Sequence, residues 1–201
     1  MKKIVFTFFP FLLVGFVLPH TDFHFGYKKS MTSTAPYDGP YILYKNDQVF
    51  VKTIFDDGGN KSIKVDSVNI AQKTTISLTV ATDELGKTFS VQLKSQLQNE
   101  KSEYKKADKQ AVISDIEGNF GAFRKLLQNA GVIDTNYNWT FGNGHLVLTG
   151  DFFDRGDRVT EVLWLVYSLE DKAKVAGGYV HFVLGNHEIM NLSGDLRYLH
   201  P

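Results

Sequence analysis

AVISDIEGNFGAFRKLLQNAG (residues 111–131) contains three kinds of local pattern in succession. Ala111 to Ser114 is a short apolar run of buried-strand type, and Asp115 to Asn119 is polar and turn-forming. From Phe120 the apolar residues Phe120, Phe123, Leu126, Leu127 and Ala130 recur at helical spacing. Asn119 stands where a side-chain oxygen caps that helix, and Gly131 stands where a left-handed residue closes it.

Downstream the same order returns. HLVLTG (145–150) is a second strand ending at Asp151, followed by a helix with Val159, Val162, Leu163, Val166 and Leu169 on one face. Asp157 is the expected cap of that helix, which stops near Gly177-Gly178. A third strand, YVHFVLG (179–185), runs into Asn186, His187 and Glu188. Asp115 and Asp151 lie 36 residues apart, and Asp151 and Asn186 lie 35 apart. Each interval accommodates the loop, helix and strand of a right-handed crossover, so the strands are expected to be parallel with their C-terminal ends along one edge. Ligands of open α/β sheets bind at that edge. Here it collects Asp115, Glu117, Asp151, Asp154, Asn186 and His187, more metal-type ligands than packing alone selects.

SDIEGN (114–119), GDFFDRG (150–156) and GNHE (185–188) resemble the three N-terminal motifs of calcineurin-like metallophosphoesterases, which usually read D-x-H, G-D-x-x-D-R-G and G-N-H-E. The arginine in the second motif and the run GNHEIMNLSGDLRY (185–198) are most similar to the phosphoprotein-phosphatase branch and its Shewanella-like relatives. The resemblance covers Ala111 to Pro201. It implies an α/β fold, the N-terminal half of a metallophosphoesterase α/β sandwich.

The resemblance also implies roles. Two divalent metal ions, from among Mn, Fe, Zn and Mg, would clamp a phosphate while a metal-bound hydroxide attacks it in line. Asp115 would bind the first metal, Asp151 would bridge both, and Asn186 would bind the second through its amide oxygen. His187, oriented by Asp154, would protonate the leaving alkoxide, since a carboxylate partner stabilises the charged imidazole. Arg155 would grip the phosphate with its planar fork. Glu188 is read as support for the His187 loop or a cap for the next segment, and His145 and His181, inside strands, as edge or core residues.

Two departures from the family pattern stand out. Glu117 occupies the position usually held by histidine, and as an oxygen ligand it would favour harder ions, Mn above all; binding through water, or none, is the alternative. The family also supplies metal-binding histidines from well downstream, so the chain reads as a C-terminally truncated domain from a longer protein.

The remainder of the chain precedes these motifs. Residues 1–19 open with Lys2 and Lys3 and continue with an apolar run from Ile4 to Leu18 broken by Pro10. This is the shape of an export signal, or of a retained anchor, and predicts a periplasmic or extracellular protein. Residues 20–40 read as a linker. Residues 41–94 read as a small β-rich module whose strands are separated by Asn46-Asp47, Asp57-Gly58-Gly59 and Asp83 to Gly86, with Tyr41, Tyr44, Phe50 and Phe55 on its buried face. Residues 95–110 read as a charged linker or short surface helix.

Composition sets the outer bounds. With 43% apolar residues among 201, the chain is not a disordered polymer. Past residue 19, 20 basic residues face 22 acidic ones, a net charge of −2, so no nucleic-acid partner is expected. There is no cysteine, which excludes disulfides, thiolate metal sites, thiol catalysis and lipoprotein acylation. The expected function is a phosphomonoesterase acting on phosphorylated protein or a small phosphate ester. The alternatives are a nucleotide-anhydride hydrolase of the same fold and a non-catalytic binding protein with a degenerate site. Membrane contact would come only through an uncleaved N-terminal segment.

Overall fold

A computed structural model describes residues 37–57, 59–101, 103–104 and 107–201. The expected signal at 1–19 and most of the expected linker at 20–40 lie outside these residues. Three antiparallel strands open the described chain: β1 (Tyr37–Lys45), β2 (Gln48–Asp57) and β3 (Asn60–Asn69), in the order β1-β2-β3. Asn46-Asp47 makes the tight turn expected, with Asn46 at φ 53°. β1 begins four residues before Tyr41, and its pairing with β2 is irregular between Asp38 and Tyr41, where Pro40 has no N–H to give to the ladder.

The aromatic face expected on this sheet does not form. Tyr41, Tyr44 and Phe55 are exposed and Phe50 is only half-buried, while Val49 is fully buried and Ile42, Val51 and Val68 pack beside it. Tyr41 and Tyr44 are an odd number of residues apart, so the strand's period of two sends them to opposite faces.

A 3-10 turn (Ile70–Thr75), capped by the Asn69 side chain, leads to the hairpin β4 (Ser77–Ala81) and β5 (Thr88–Gln92). Alternation here is clean, with Leu78, Val80, Phe89 and Val91 buried. Described residues of 95–109 form no helix.

The remaining elements are β6 (Gln110–Ile113), α1 (Phe120–Asn129), β7 (His145–Leu148), α2 (Val159–Val175), β8 (Tyr179–Phe182) and α3 (Asn186–Leu192). β6, β7 and β8 form a parallel sheet in that order, with Ile113 opposite Leu148 and Leu148 opposite Phe182, so the three following loops emerge side by side. Asn119 caps α1 by accepting from the Ala122 N–H at 3.1 Å. At the other end Val132 N–H donates to the Leu127 carbonyl and Gly131 N–H, at φ 67°, to that of Gln128, a complete left-handed stop.

Two details differ from the pattern reading. Leu126 and Ala130 face solvent, and Phe120, Phe123, Arg124 and Leu127 make the buried face of α1. Asp157 does not cap α2: Arg158 is the cap residue, without a side-chain cap bond, and Asp157 is exposed.

One hydrophobic core joins the antiparallel strands to the parallel sheet. Phe89 of β5 stacks on Phe120 of α1 at 6.1 Å and on Tyr137 at 5.2 Å, in one cluster with Leu146, Leu148, Leu165 and Leu169. Fully burying each such aliphatic side chain contributes roughly 1.5–3 kcal/mol, which is what anchors the loops at the sheet edge. Among the described residues no helix is long and apolar enough to cross a membrane.

Candidate active site

The loops after β6 and β7 are laced together through their backbones. Asp115 N–H donates to the Gly150 carbonyl at 3.2 Å, Glu117 to Asp151 at 3.0 Å, Gly118 to Phe152 at 2.8 Å, and Gly156 to Glu117 at 2.9 Å. Such close approach needs bare backbone: a Cβ on Gly156 would lie 2.3 Å from the Glu117 carbonyl oxygen. The lacing also holds unusual dihedrals. Among the described residues seven non-glycine residues have positive φ, and five of them are residues singled out from the motifs: Asp115, Glu117, Asp151, Asp154 and Arg155, at 48° to 73°. Each costs of order 1 kcal/mol. Strain of this kind persists where the surrounding structure over-determines it, and such places cluster at functional sites.

The third loop is fixed by Glu188. Its carboxylate is 1% exposed and accepts four backbone N–H groups: Phe152 at 2.7 Å and Phe153 at 3.0 Å on Oε1, Asp151 at 2.8 Å and Gly185 at 2.7 Å on Oε2. Burial pushes its pKa up, but these bonds outweigh burial and hold it below the ordinary glutamate value. Glu188 therefore supports the loops, as its sequence position suggested.

At the centre is a buried histidine–carboxylate pair. His187 Nδ1 lies 2.6 Å from Asp154 Oδ2, and Asp154 is 1% exposed. A carboxylate only accepts, so Nδ1 carries the proton and Nε2 is left for a ligand. Asn191, one helical turn after His187, donates its amide N–H to Asp154 Oδ1 at 2.9 Å and to the His187 carbonyl at 3.0 Å. The motif reading missed Asn191; its i+4 spacing from His187 on α3 is the signal that reveals it. The Tyr198 ring meets the His187 ring edge-on at 5.5 Å, and the Tyr198 carbonyl accepts from Arg155 N–H at 2.9 Å.

The expected metal ligands occupy adjoining loops. Asp115 is exposed and accepts from the Ser114 hydroxyl at 2.6 Å, Asp151 is half-buried with Oδ1 accepting from His187 N–H at 3.0 Å, and Asn186 is exposed at the start of α3. Among the described residues neither aspartate pairs with a basic side chain. Their carboxylates and the Asn186 amide are oxygen donors of the kind hard divalent cations take. Glu117 instead forms an ion pair with Arg155. Among the described residues no group of three or more His, Cys, Asp or Glu side chains is arranged to hold a metal ion.

His145 and His181 stand apart from this site, as expected. They hydrogen-bond to each other at 2.9 Å beneath the Tyr104 ring.

Residues 109–201 match the family model described as calcineurin-like phosphoesterase. Shewanella-like protein phosphatase 2 of Arabidopsis thaliana is 36% identical over 104 residues, 51% of this chain and 27% of that protein. Shewanella-like protein phosphatase 1 of Plasmodium berghei is 34% identical over 89 residues, 44% of this chain and 25% of that protein. The crystal structure of a cold-active protein-tyrosine phosphatase from a psychrophilic Shewanella species aligns with a TM-score of 0.66 at 37% identity, over 83% of this chain and 48% of that one. The chain thus spans about half the length of the solved structure and about a quarter of these curated relatives. An 83% match exceeds what residues 109–201 alone supply, so antiparallel strands ahead of them belong to the shared fold. The resemblance in the three motifs and the metallophosphoesterase α/β fold are both borne out.

Proposed function

With residues 109–201 matched to the calcineurin-like phosphoesterases, we propose that the protein is a metal-dependent phosphomonoesterase acting on a phosphorylated protein or a small phosphate ester, in an exported location. The observation that carries this reading is the buried His187–Asp154 pair, tied to Asp151 by the His187 N–H, on a loop laced through its backbone to the one that presents Asp115. Asp115, Asp151 and Asn186 would hold a dinuclear centre, with Mn favoured by the all-oxygen donor set. Such ions would supply neutralisation of phosphoryl charge and an activated water as nucleophile.

The chain's own groups do the rest. His187, when it carries a proton on both ring nitrogens, gives the Nε2 proton to the leaving oxygen and is left neutral with its proton on Nδ1. Asp154, itself held by Asn191, accepts from Nδ1–H and so fixes the orientation of the ring. Arg155, half-exposed, offers its guanidinium to the phosphate oxygens, sharing it with Glu117. In this arrangement Glu117 serves as the arginine's counter-ion, which accounts for a carboxylate where the family usually carries histidine.

Leaving-group dependence tests the proposal. Replacing His187→Asn should slow hydrolysis of phosphoserine, whose alkoxide needs protonation, by roughly 10²–10⁴-fold, and that of 4-nitrophenyl phosphate, whose phenolate does not, far less. Equal losses on the two substrates would remove His187 from the role of proton donor.

A further inference from the structure

The turn between β4 and β5 reaches both helices that leave the site loops. Arg124, in α1 and 6% exposed, donates Nε to Asp83 Oδ1 at 2.7 Å and Nη2 to Asp83 Oδ2 at 2.7 Å, a two-pronged match, while its Nη1 reaches Gln128 at 3.0 Å. The carboxylate lies against the first turn of the helix: a Cβ on Gly121 would be 2.8 Å from Asp83 Oδ2. Arg158, the cap residue of α2 and 7% exposed, donates Nη1 to the Thr82 carbonyl at 3.2 Å. Its own N–H donates to the Gly118 carbonyl at 3.2 Å, inside the loop that carries Asp115 and Glu117.

The turn is itself rigid. Thr82 is 1% exposed, its hydroxyl accepts from Glu84 N–H at 3.2 Å and donates to the Lys87 carbonyl at 3.0 Å, and its N–H bonds Lys87 again at 3.1 Å. A partly buried pair of this sort adds little net stability over an apolar contact of equal volume; what it adds is direction, because the fork fits in one orientation. Burial raises the Asp83 pKa, but the Arg124 hydrogen bonds and charge outweigh it, with Arg158 adding to the same field, so Asp83 is held below the ordinary aspartate value and stays ionised.

We propose that Asp83 is a positioning residue of the active site: through Arg124, and with the Thr82 carbonyl through Arg158, the β4–β5 turn fixes the spacing between the loop Asp115 to Asn119 and the loop Asp151 to Asp157. The antiparallel segment ahead of the three motifs is then part of the catalytic apparatus. This rests on the hydrolase reading for its catalytic meaning, and its structural half is testable without activity.

Hydrogen exchange on the full chain reads the loop-to-loop bonds directly, through the amides of Asp115, Glu117 and Gly118, against the sheet amides of Thr149 and Val183. In Asp83→Asn the three loop amides should exchange about tenfold faster or more with the sheet amides unchanged, which is local opening. Arg124→Lys, which keeps the charge and loses the fork, should give the same pattern at smaller amplitude. In parallel, kcat for 4-nitrophenyl phosphate with Mn²⁺ should fall in both variants with KM little changed. Loop protection that is unaltered, or that falls in step with the sheet, would overturn the positioning role. Absence of hydrolysis in the wild type would count against the hydrolase reading, while the exchange result still decides the clamp.

Discussion

Replacing Glu188→Gln keeps the size and shape of the side chain and removes its charge and half its accepting capacity. The wild-type carboxylate takes two backbone N–H groups on each oxygen, at 2.7 to 3.0 Å, in a site 1% exposed. The glutamine carbonyl can keep one pair. Its NH₂ must then face the other pair, Phe152 and Phe153 or Asp151 and Gly185, leaving two buried donors without acceptors. Each orphaned donor costs about 1–3 kcal/mol, so the variant should lose about 4 kcal/mol at pH 7, read from urea unfolding with an unchanged m-value. The sign with pH follows from the direction of the shift. Glu188 is held below its unfolded pKa, so its contribution is complete above that value and disappears as pH falls through the folded one. The gap between wild type and variant should therefore close in acid. A loss below about 1 kcal/mol at pH 7, or a gap independent of pH, would refute the role assigned to these four bonds.

Glu161 works in the opposite sense. Burial pushes its pKa up to about 7, more than its own backbone hydrogen bond and Arg158 pull it down, so the folded state takes up a proton. Stability should fall by up to about 3 kcal/mol as pH rises from the unfolded carboxylate value to about 7, and Glu161→Gln should abolish that decline, matching wild type at about pH 4, below the unfolded carboxylate value, and exceeding it at about pH 8 in thermal unfolding. Gly156→Ala places a methyl group against the Glu117 and Gly118 backbone, which cannot swing aside as a side chain can; a loss of about 1–3 kcal/mol in urea unfolding is expected. Asn191→Ala removes a hydrogen bond to the buried Asp154 carboxylate and should cost about 1.5–3 kcal/mol in the same assay, with a lower kcat on phosphoserine.

The sheet edge was legible because two periodicities meet there. Short apolar runs at Ala111, His145 and Tyr179, each followed by an acidic or amide-bearing loop, and in two cases then by an amphipathic helix at a crossover-length interval, leave little choice of topology. Asp115, Asp151, Asp154 and His187 fell at the ends of those strands and could be read as a group. What could not be read depends on partners far along the chain. The positive φ angles at five of the motif residues are set by bonds between loops some 35 residues apart. The Asp83–Arg124 fork spans 41 residues, and no local pattern marks Arg124 as buried or Asp83 as its partner. Glu117 turned out to pair with Arg155, a contact fixed by how two loops lace together and not by either motif alone. The aromatic face expected on β1 failed on the parity of a period-two strand, and the cap expected from Asp157 failed because α2 starts at Val159, which puts the cap one residue later, at Arg158.

Hydrolysis of 4-nitrophenyl phosphate with Mn²⁺, compared between the wild type and Asp151→Asn, tests most directly whether these three loops form a phosphoester-hydrolysing centre. Saturable hydrolysis by the wild type, abolished by chelator and reduced at least about 10³-fold in an Asp151→Asn variant of unchanged circular dichroism, is the predicted result. Equal rates in the two proteins, with or without the metal, would contradict it.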